Sequence, residues 1–346
     1  MSGRPTPRAL GFRMPAEWEP HEATWLAWPH EKTDWPGKFA PIPWLYGEIV
    51  RHLARVERVR ILVEHAEAEQ RVRRILKKCH ADLNAVEFFH HKTNRSWTRD
   101  SGPLFVKKSL KNQKGEVAIT DWEFNGWAKY DDCADDNAVP RAIAEALGMR
   151  RFAPGLVLEG GSIDVNGAGK LLTTEECLLS QVQARNPGLS RREIGRALAD
   201  YLGAPDVIWL GGGIEGDDTH GHIDDIARFT SIDTVVTVIE PDKSSGNHEP
   251  LKENLARLRA RKDLRVVTLP CPEPVTFAGQ RLPASYANFY IANHVVLAPT
   301  FGDPRDRAAL NTLARLFPER EVIGVPCRDL VLGLGTLHCM TQQQPA

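Results

Sequence analysis

A thiol near the end of the chain and a cluster of imidazoles and carboxylates could together carry out nucleophilic chemistry. Cys339 lies seven residues before the last residue and directly follows His338. Chain ends are usually frayed, so a thiol at this position is unexpected unless the end is tied into the fold. Upstream, the ten-residue segment 216–225 contains two histidines, His220 and His222, and four aspartates. A thiol and a nearby base are the groups that a nucleophilic site requires.

The number of carboxylates indicates what such a site would act on. Asp100, Glu159, Asp218 and Asp224 are candidates, whereas a general hydrolase needs one carboxylate to orient its base. Additional carboxylates would raise the pKa of the Cys339 thiol unless the substrate brings a positive charge. A guanidinium is planar, permanently charged and rich in N–H donors, so two carboxylates can hold it against the sulfur. The pattern therefore favours a small cationic guanidine as substrate.

The same segment allows a second interpretation, as a metal site. Thr219–Asp225 resembles the HxHxD core of zinc hydrolases, in which His220, His222 and Asp224 would converge on the ion. Such a site needs further ligands from later loops, typically more histidines, and none of the histidines downstream has acidic residues in a matching pattern; they are His248, His294 and His338. We expect no metal and no organic cofactor, and keep the zinc hydrolase as the remote alternative.

The net charge and the spacing of the cysteines indicate which partners the protein is expected to bind and in which compartment it is expected to reside. The chain of 346 residues carries 44 basic and 45 acidic side chains, a net charge of −1, so no global field predicts binding to nucleic acid or to an anionic membrane. No apolar stretch approaches the length of a membrane span or follows the N-terminus as a secretion signal would. Six scattered cysteines without CxxC spacing predict a reduced, cytoplasmic protein. Assembly into a homo-oligomer is compatible with these features.

The elements that must position these groups alternate along the whole chain. Between successive amphipathic helices there are usually two or three β-rich runs, one of them Gly155–Leu158, which predicts an α/β fold but argues against a doubly wound sheet. A recurring unit of several strands and one helix suggests modules repeated around an axis. No linker divides the chain, so we expect one catalytic domain over residues 1–346. The predicted helices are Trp44–Arg55, Ala66–Cys79, Ala138–Leu147, Ser190–Leu202, Glu249–Arg261 and Asp306–Leu316.

Seven segments, in order from residue 14 to the last residue, together resemble one known family. The chain is similar to the agmatine deiminase family, also described as the Porphyromonas-type peptidylarginine deiminase family, within the guanidino-group-modifying superfamily. The segments are Met14–Glu19, Trp97–Pro103, Leu158–Ile163, Thr174–Leu179, Gly221–Asp224, Ala287–Asn293 and His338–Ala346.

The resemblance implies a fold and a set of roles. The fold would be a five-module α/β propeller with pseudo-five-fold symmetry and a central active-site channel. Cys339 would be the nucleophile and His222 the general acid and base. Asp100 and Asp224 would clamp the guanidinium, and Glu159 would hydrogen-bond the catalytic imidazole.

The resemblance also implies substrate contacts and a reaction. Trp97 would line the channel, and Asp218 and His220 would face the far amine of the substrate, although His220 stands where the family commonly has Asn or Asp. Agmatine would be converted to N-carbamoylputrescine and ammonia through a covalent amidino-thioether on cysteine. Deimination of another guanidine, such as peptidyl-arginine, is the alternative within the same chemistry.

Overall fold

The computed structural model describes residues 5–110 and 113–346. In these ranges the chain forms a mixed α/β fold, so the predicted class is confirmed. The helices are α1 (Ile42–Leu53), α2 (Ala66–Lys78), α3 (Thr98–Ser101), α4 (Ala134–Asn137), α5 (Val139–Leu147), α6 (Glu175–Leu179), α7 (Arg191–Leu202), α8 (His248–Ala260) and α9 (Asp306–Leu316). The strands are β1 (His21–Ala27), β2 (Arg58–Val63), β3 (Val86–His90), β4 (Leu104–Leu110), β5 (Gln113–Thr120), β6 (Arg150–Phe152), β7 (Asp164–Val165), β8 (Lys170–Thr174), β9 (Asp206–Leu210), β10 (Ala227–Phe229), β11 (Thr234–Ile239), β12 (Arg265–Pro270), β13 (Thr276–Phe277), β14 (Gln280–Arg281), β15 (Tyr290–Ile291), β16 (Val295–Thr300), β17 (Glu321–Pro326) and β18 (Gln342–Pro345).

Five small sheets in the described residues share one plan. In each, an antiparallel pair is extended by a parallel strand that is reached through a helical connection. Four of the sheets have three strands, in the orders β4-β5-β6, β7-β8-β9, β10-β11-β12 and β15-β16-β17. The fifth has four strands in the order β18-β1-β2-β3, and β13 and β14 form a separate hairpin.

The two ends of the chain meet in the four-stranded sheet. β18 pairs antiparallel with β1, with Gln342 opposite Trp25 and Pro345 opposite His21. The last strand is buried, so the C-terminal segment is tied into the fold, as a functional Cys339 requires.

Local sequence explains helix α7. The Ser190 side chain accepts a hydrogen bond from the Glu193 amide, and the Glu193 carboxylate accepts one from the Ser190 amide, which completes a capping box at the helix N-terminus. Ile194, Leu198 and Leu202 recur every four residues and are buried, so one face of the helix packs into the core.

Gly155–Leu158 is not a strand, contrary to the prediction. Only Val157 forms a bridge, to Glu123. The Asn186 side chain accepts from the Val157 amide at 3.0 Å and donates to the Val157 carbonyl at 2.8 Å. A side-chain amide thus satisfies the backbone groups that a neighbouring strand would otherwise pair.

No helix in the described part of the chain combines the length and the apolar character needed to cross a bilayer.

Candidate active site

A pocket of about 560 Å³ has Asp100 and Cys339 among its walls. Trp97, which packs against Trp35 with ring centroids 5.5 Å apart and ring planes tilted by 41°, forms another part of the lining. The further residues that line it are Thr33, Asp34, Pro36, Arg95, Trp127, Tyr130, Asp218, Thr219, Phe277, Ala278, Gln280, Leu332, Gly333, Leu334 and Gly335.

Cys339 is buried and held by the elements around it. Its sulfur accepts a hydrogen bond from Asn288 Nδ2 at 3.1 Å and lies 3.7 Å from Asp224 Oδ2. Its carbonyl accepts from the Arg99 amide at 3.1 Å, which joins the C-terminal segment to α3. Burial, and then the charge of Asp224 with those of neighbouring aspartates, raise the pKa of this thiol well above its ordinary value. With these groups around it, the Cys339 thiol is neutral at neutral pH.

Asp100 lies in the single turn α3 and is fixed through both oxygens. Oδ1 accepts from the Gly161 amide and Oδ2 from Trp127 Nε1, each at 2.9 Å. Burial, opposed by the charge of His222, raises the pKa of Asp100 to about 6. Asp100 is therefore largely ionised at neutral pH and becomes protonated below about pH 6.

His222 lies between two carboxylates. Its Nδ1 is 3.8 Å from Asp100 Oδ1 and its Nε2 is 3.8 Å from Glu159 Oε2. Burial disfavours the charged ring, but the charge of Asp100 and the contacts with Cys177 and Glu159 outweigh it and raise the pKa of His222 well above its ordinary value. Asp217 shapes the preceding turn by accepting from the Gly221 amide at 2.7 Å and the His222 amide at 3.2 Å.

Glu159 is itself paired with a buried cation. Arg185 Nε donates to Glu159 Oε1 at 2.9 Å, and both side chains are fully buried. Burial opposes ionisation, but the charge of Arg185 dominates and lowers the pKa of Glu159 to about 2. Glu159 is thus an anion throughout the physiological range and favours the imidazolium form of His222.

His338 supports the second predicted clamp, Asp224. Its Nδ1 is 2.7 Å from Asp224 Oδ2 and its Nε2 is 2.8 Å from Glu17 Oε2. The His338 ring thus bridges the two carboxylates. Burial opposes ionisation, but the hydrogen bond from His338 holds the pKa of Asp224 below its ordinary value. Glu17 in turn accepts from Arg99 and Arg228, so a buried ionic network anchors the clamp.

Gly161 stands where these groups meet. A Cβ at this position would lie 2.5 Å from His222 Nδ1, 2.7 Å from Asp100 Oδ1 and 3.1 Å from Asp224 Oδ2. Only a residue without a side chain lets the backbone pass this closely while its amide binds Asp100.

Two of the three residues predicted to contact the substrate lie in the pocket wall. Trp97 and Asp218 line the pocket. His220 does not belong to the described lining; its ring nitrogens lie 3.1 Å from Ser180 Oγ and 3.7 Å from Glu176 Oε1. A direct contact of His220 with the substrate stays a prediction.

The zinc alternative is not supported by the position of its ligands. His220 is directed toward Ser180 and Glu176, whereas His222 faces Asp100 and Glu159. Among the residues that the structure describes, Glu159, Cys177 and His222 have possible ligand atoms within 4.8 Å of one another. This group contains neither His220 nor Asp224, the other two ligands predicted for zinc.

Similarity to known proteins identifies the family of this chain. The family model for Porphyromonas-type peptidyl-arginine deiminases matches residues 13–345. The chain belongs to this family. It is 37% identical over 371 residues to an agmatine deiminase of Pseudomonas aeruginosa strain LESB58, covering 99% of this chain and 97% of that protein. Among solved structures, an Enterococcus faecalis agmatine deiminase superposes with a TM-score of 0.91 at 32% identity, covering 99% and 98% of the two chains. A substrate-bound Cys-to-Ser variant of a C. jejuni agmatine deiminase superposes with a TM-score of 0.87 at 30% identity, covering 97% and 96%.

Several residues of this family member's site escaped sequence reasoning. Glu17 and Asn288 lie in segments that carried the family resemblance, but nothing in those segments assigned them a contact. The sequence places His338 beside Cys339 and among the histidines downstream of His222, but it assigns His338 no contact with Asp224 or Glu17. Trp127 and Arg185 lie outside the resembling segments, and only the fold brings them to Asp100 and Glu159.

Proposed function

We propose that this chain is an agmatine deiminase, which hydrolyses the guanidinium of agmatine to N-carbamoylputrescine and ammonia. The observation that carries the proposal is that Cys339 and Asp100 open into one pocket while Asp224 lies 3.7 Å from the sulfur. Agmatine deiminases at 37% identity over nearly the whole chain support it.

The charges define how the nucleophile would be activated. A guanidinium placed between Asp100 and Asp224 neutralises the two carboxylates and favours loss of the Cys339 proton to solvent. The thiolate then adds to the guanidinium carbon, and the His222 imidazolium protonates the departing ammonia. An amidino-thioether is left on Cys339. Its charge would be held by the same carboxylates.

Hydrolysis would complete the cycle at the same residues. Neutral His222 takes a proton from water as that water adds to the amidino carbon. Collapse of the adduct breaks the carbon–sulfur bond with its electron pair on sulfur, the proton of the adduct's hydroxyl group passes to that sulfur, and the ureido product leaves with the Cys339 thiol restored. Glu159, itself held by Arg185, favours return of His222 to its charged form. No step transfers electrons, so the scheme requires no redox cofactor.

The charge of the pocket favours agmatine over arginine. The charged residues of the described lining are three aspartates and one arginine, Arg95, and that arginine is paired with Asp34. A substrate with an ammonium tail suits this excess of carboxylates, whereas the carboxylate of free arginine would meet further negative charge. Deimination of peptidyl-arginine, which lacks that carboxylate, is the second candidate because the family description includes it.

The finer architecture belongs to the same proposal. We infer a single domain over residues 1–346, shaped as a five-module propeller with pseudo-five-fold symmetry and a central channel. Five sheets with the same plan support it. The positions of the site residues in the chain also support it, because each connection between successive sheets contributes at least one of them. These residues are Asp100, Glu159 with Gly161, His222 with Asp224, Asn288 and Cys339. A cytoplasmic location and a homo-oligomeric state stay predictions.

Mass spectrometry of the quenched reaction tests the proposed chemistry. Mixing the enzyme with agmatine and quenching in acid should give a peptide containing Cys339 with an added amidino group that carries the substrate's alkyl chain. Ammonia release from agmatine, free arginine and an arginine peptide, measured side by side, should be fastest with agmatine. An adduct on another residue, or faster turnover of the peptide, would contradict the assignment.

The pH profile should report the protonation of Asp100. Because burial raises the pKa of Asp100 to about 6, the clamp is neutral below that pH and charged above it. We expect kcat/KM for agmatine, which reflects the free enzyme, to rise about 100-fold for each pH unit below about 6, where Asp100 and the Cys339 thiol must both lose a proton, and about tenfold for each pH unit above it, where only the thiol must. A stopped assay of ureido product between pH 4.5 and 8 measures it. A profile that is flat from pH 5 to 8 would exclude Asp100 as the titrating clamp.

A further inference from the structure

Asp218, at the wall of the pocket, already has a partner on each carboxylate oxygen. Lys129 Nζ forms an ion pair with Oδ1, and the Tyr130 hydroxyl donates to Oδ2 at 2.7 Å. Asp218 is also the residue expected to face the ammonium tail of the substrate. The Lys129 ammonium thus lies where the tail ammonium of the substrate is expected to bind.

The two residues before Lys129 are held in place by side chains of the pocket and by Gln183 beside it. Trp127 and Ala128 have φ angles of 58° and 53°, the left-handed region that residues with a side chain rarely adopt. Trp127 donates to Asp100 from its indole, and Gln183 Nε2 donates to the carbonyls of Trp127 at 3.2 Å and Asp218 at 3.1 Å. The backbone before Lys129 is therefore connected to both ends of the pocket.

The two partners of the ion pair differ in their freedom to move. The Lys129 side chain is 42% exposed, whereas that of Asp218 is 19% exposed. The lysine ammonium can therefore leave for solvent on its flexible stem, while the carboxylate stays in the wall. A half-exposed ion pair of this kind is weak, so a second cation can replace the first without a large penalty.

We propose that Lys129 is a specificity-determining residue whose ammonium occupies the tail subsite at Asp218 and is exchanged for the tail ammonium of the substrate. The inference rests on the proposed function and adds a consequence to it. Because the incoming ammonium replaces an existing ion pair, it improves binding less than it would at an unpaired carboxylate. The enzyme therefore also accepts alkylguanidines with an uncharged tail, such as 1-butylguanidine, within a modest factor of agmatine.

The test compares these two substrates, which differ only in the terminal amine. The measured quantity is the kcat/KM for agmatine divided by that for 1-butylguanidine, from ammonia release. In Lys129→Met this ratio should rise about fivefold because Asp218 is left unpaired. In Lys129→Arg, which keeps a cation, it should stay within twofold of wild type, and in Asp218→Asn it should fall. Lys252→Met, which removes an ion pair with Glu249 on the exposed face of α8, is the matched control and should not change the ratio.

A binding measurement separates this inference from the proposed function. Calorimetric Kd values for the two guanidines are compared in Cys339→Ala and in the double variant with Lys129→Met, where no turnover occurs. A Kd ratio that changes by less than twofold, or that moves toward 1-butylguanidine, overturns the exchange and leaves the deiminase proposal intact. Failure of the wild type to release ammonia from either guanidine overturns the proposed function instead. Absence of binding of both compounds overturns both.

Discussion

Cys339→Ala is expected to lower the turnover of agmatine by roughly 10⁴-fold or more, as removal of a nucleophile typically does. In the proposed scheme the sulfur is the atom that becomes bonded to the guanidinium carbon, and the neighbouring side chains act only through that bond. Binding should be much less affected, because Asp100 and Asp224 remain to hold the guanidinium. Ammonia release measures the rate, and calorimetry with agmatine measures the retained affinity.

The other cysteines provide a control for this substitution. Cys79 follows helix α2, outside the pocket lining, and its thiol lies 3.9 Å from the Trp44 carbonyl. We expect Cys79→Ala to keep turnover within about twofold of wild type, as substitutions away from a site usually do. Wild-type turnover by Cys339→Ala would remove the covalent scheme altogether.

Gly161→Ala should be the second most damaging single change. The added methyl group would lie within 3 Å of His222 Nδ1 and Asp100 Oδ1, so the His222 ring, the Asp100 carboxylate or the backbone must move. The Gly161 amide also binds Asp100 at 2.9 Å, and displacement of the backbone weakens that hydrogen bond. A displacement of about 1 Å at reacting groups costs on the order of 100-fold in rate. We therefore expect kcat/KM for agmatine to fall at least about 100-fold.

Gly195→Ala is the matched substitution at a glycine with open surroundings. Apart from its chain neighbours and the adjoining backbone of its own helix, no described residue has an atom within 4 Å of the position that a Cβ would take at Gly195. The residue is inside helix α7, where alanine is favoured by about 1 kcal/mol over glycine. Its thermal midpoint should rise and its activity should stay unchanged. Circular dichroism will show whether Gly161→Ala is folded; a folded Gly161→Ala with wild-type kcat/KM would show that the site tolerates the methyl group.

The charge states of the pocket make the substrate part of the catalytic arrangement. In the free enzyme the Cys339 thiol is kept neutral by burial and by aspartates, with its pKa raised well above the ordinary value, whereas His222 is charged. A guanidinium that neutralises these aspartates reverses the effect on the sulfur. In the proposed scheme, the carboxylates that would bind the substrate also suppress thiolate formation until the substrate arrives, which would limit reaction of Cys339 with other electrophiles.

The helices were largely predictable because their information is local. All six predicted helices are present within about two residues of their expected bounds, since apolar periodicity and capping residues such as Ser190 act over a few positions. The predicted strand Gly155–Leu158 failed for the opposite reason. Its apolar run is typical of a strand, but the groups of Val157 are satisfied by Asn186, 29 residues away.

The sequence by itself determined the chemical groups of the site: a late cysteine, a histidine between acidic residues, and enough aspartates to favour a cation. Only the tertiary structure decided how those groups are charged and which of them face each other. The pairing of His338 with Asp224 spans 114 positions and that of Lys129 with Asp218 spans 89. The physical reason is that a pKa and an ion pair depend on distance and burial, which are set by the packing of residues from every sheet and cannot be read from spacing along the chain.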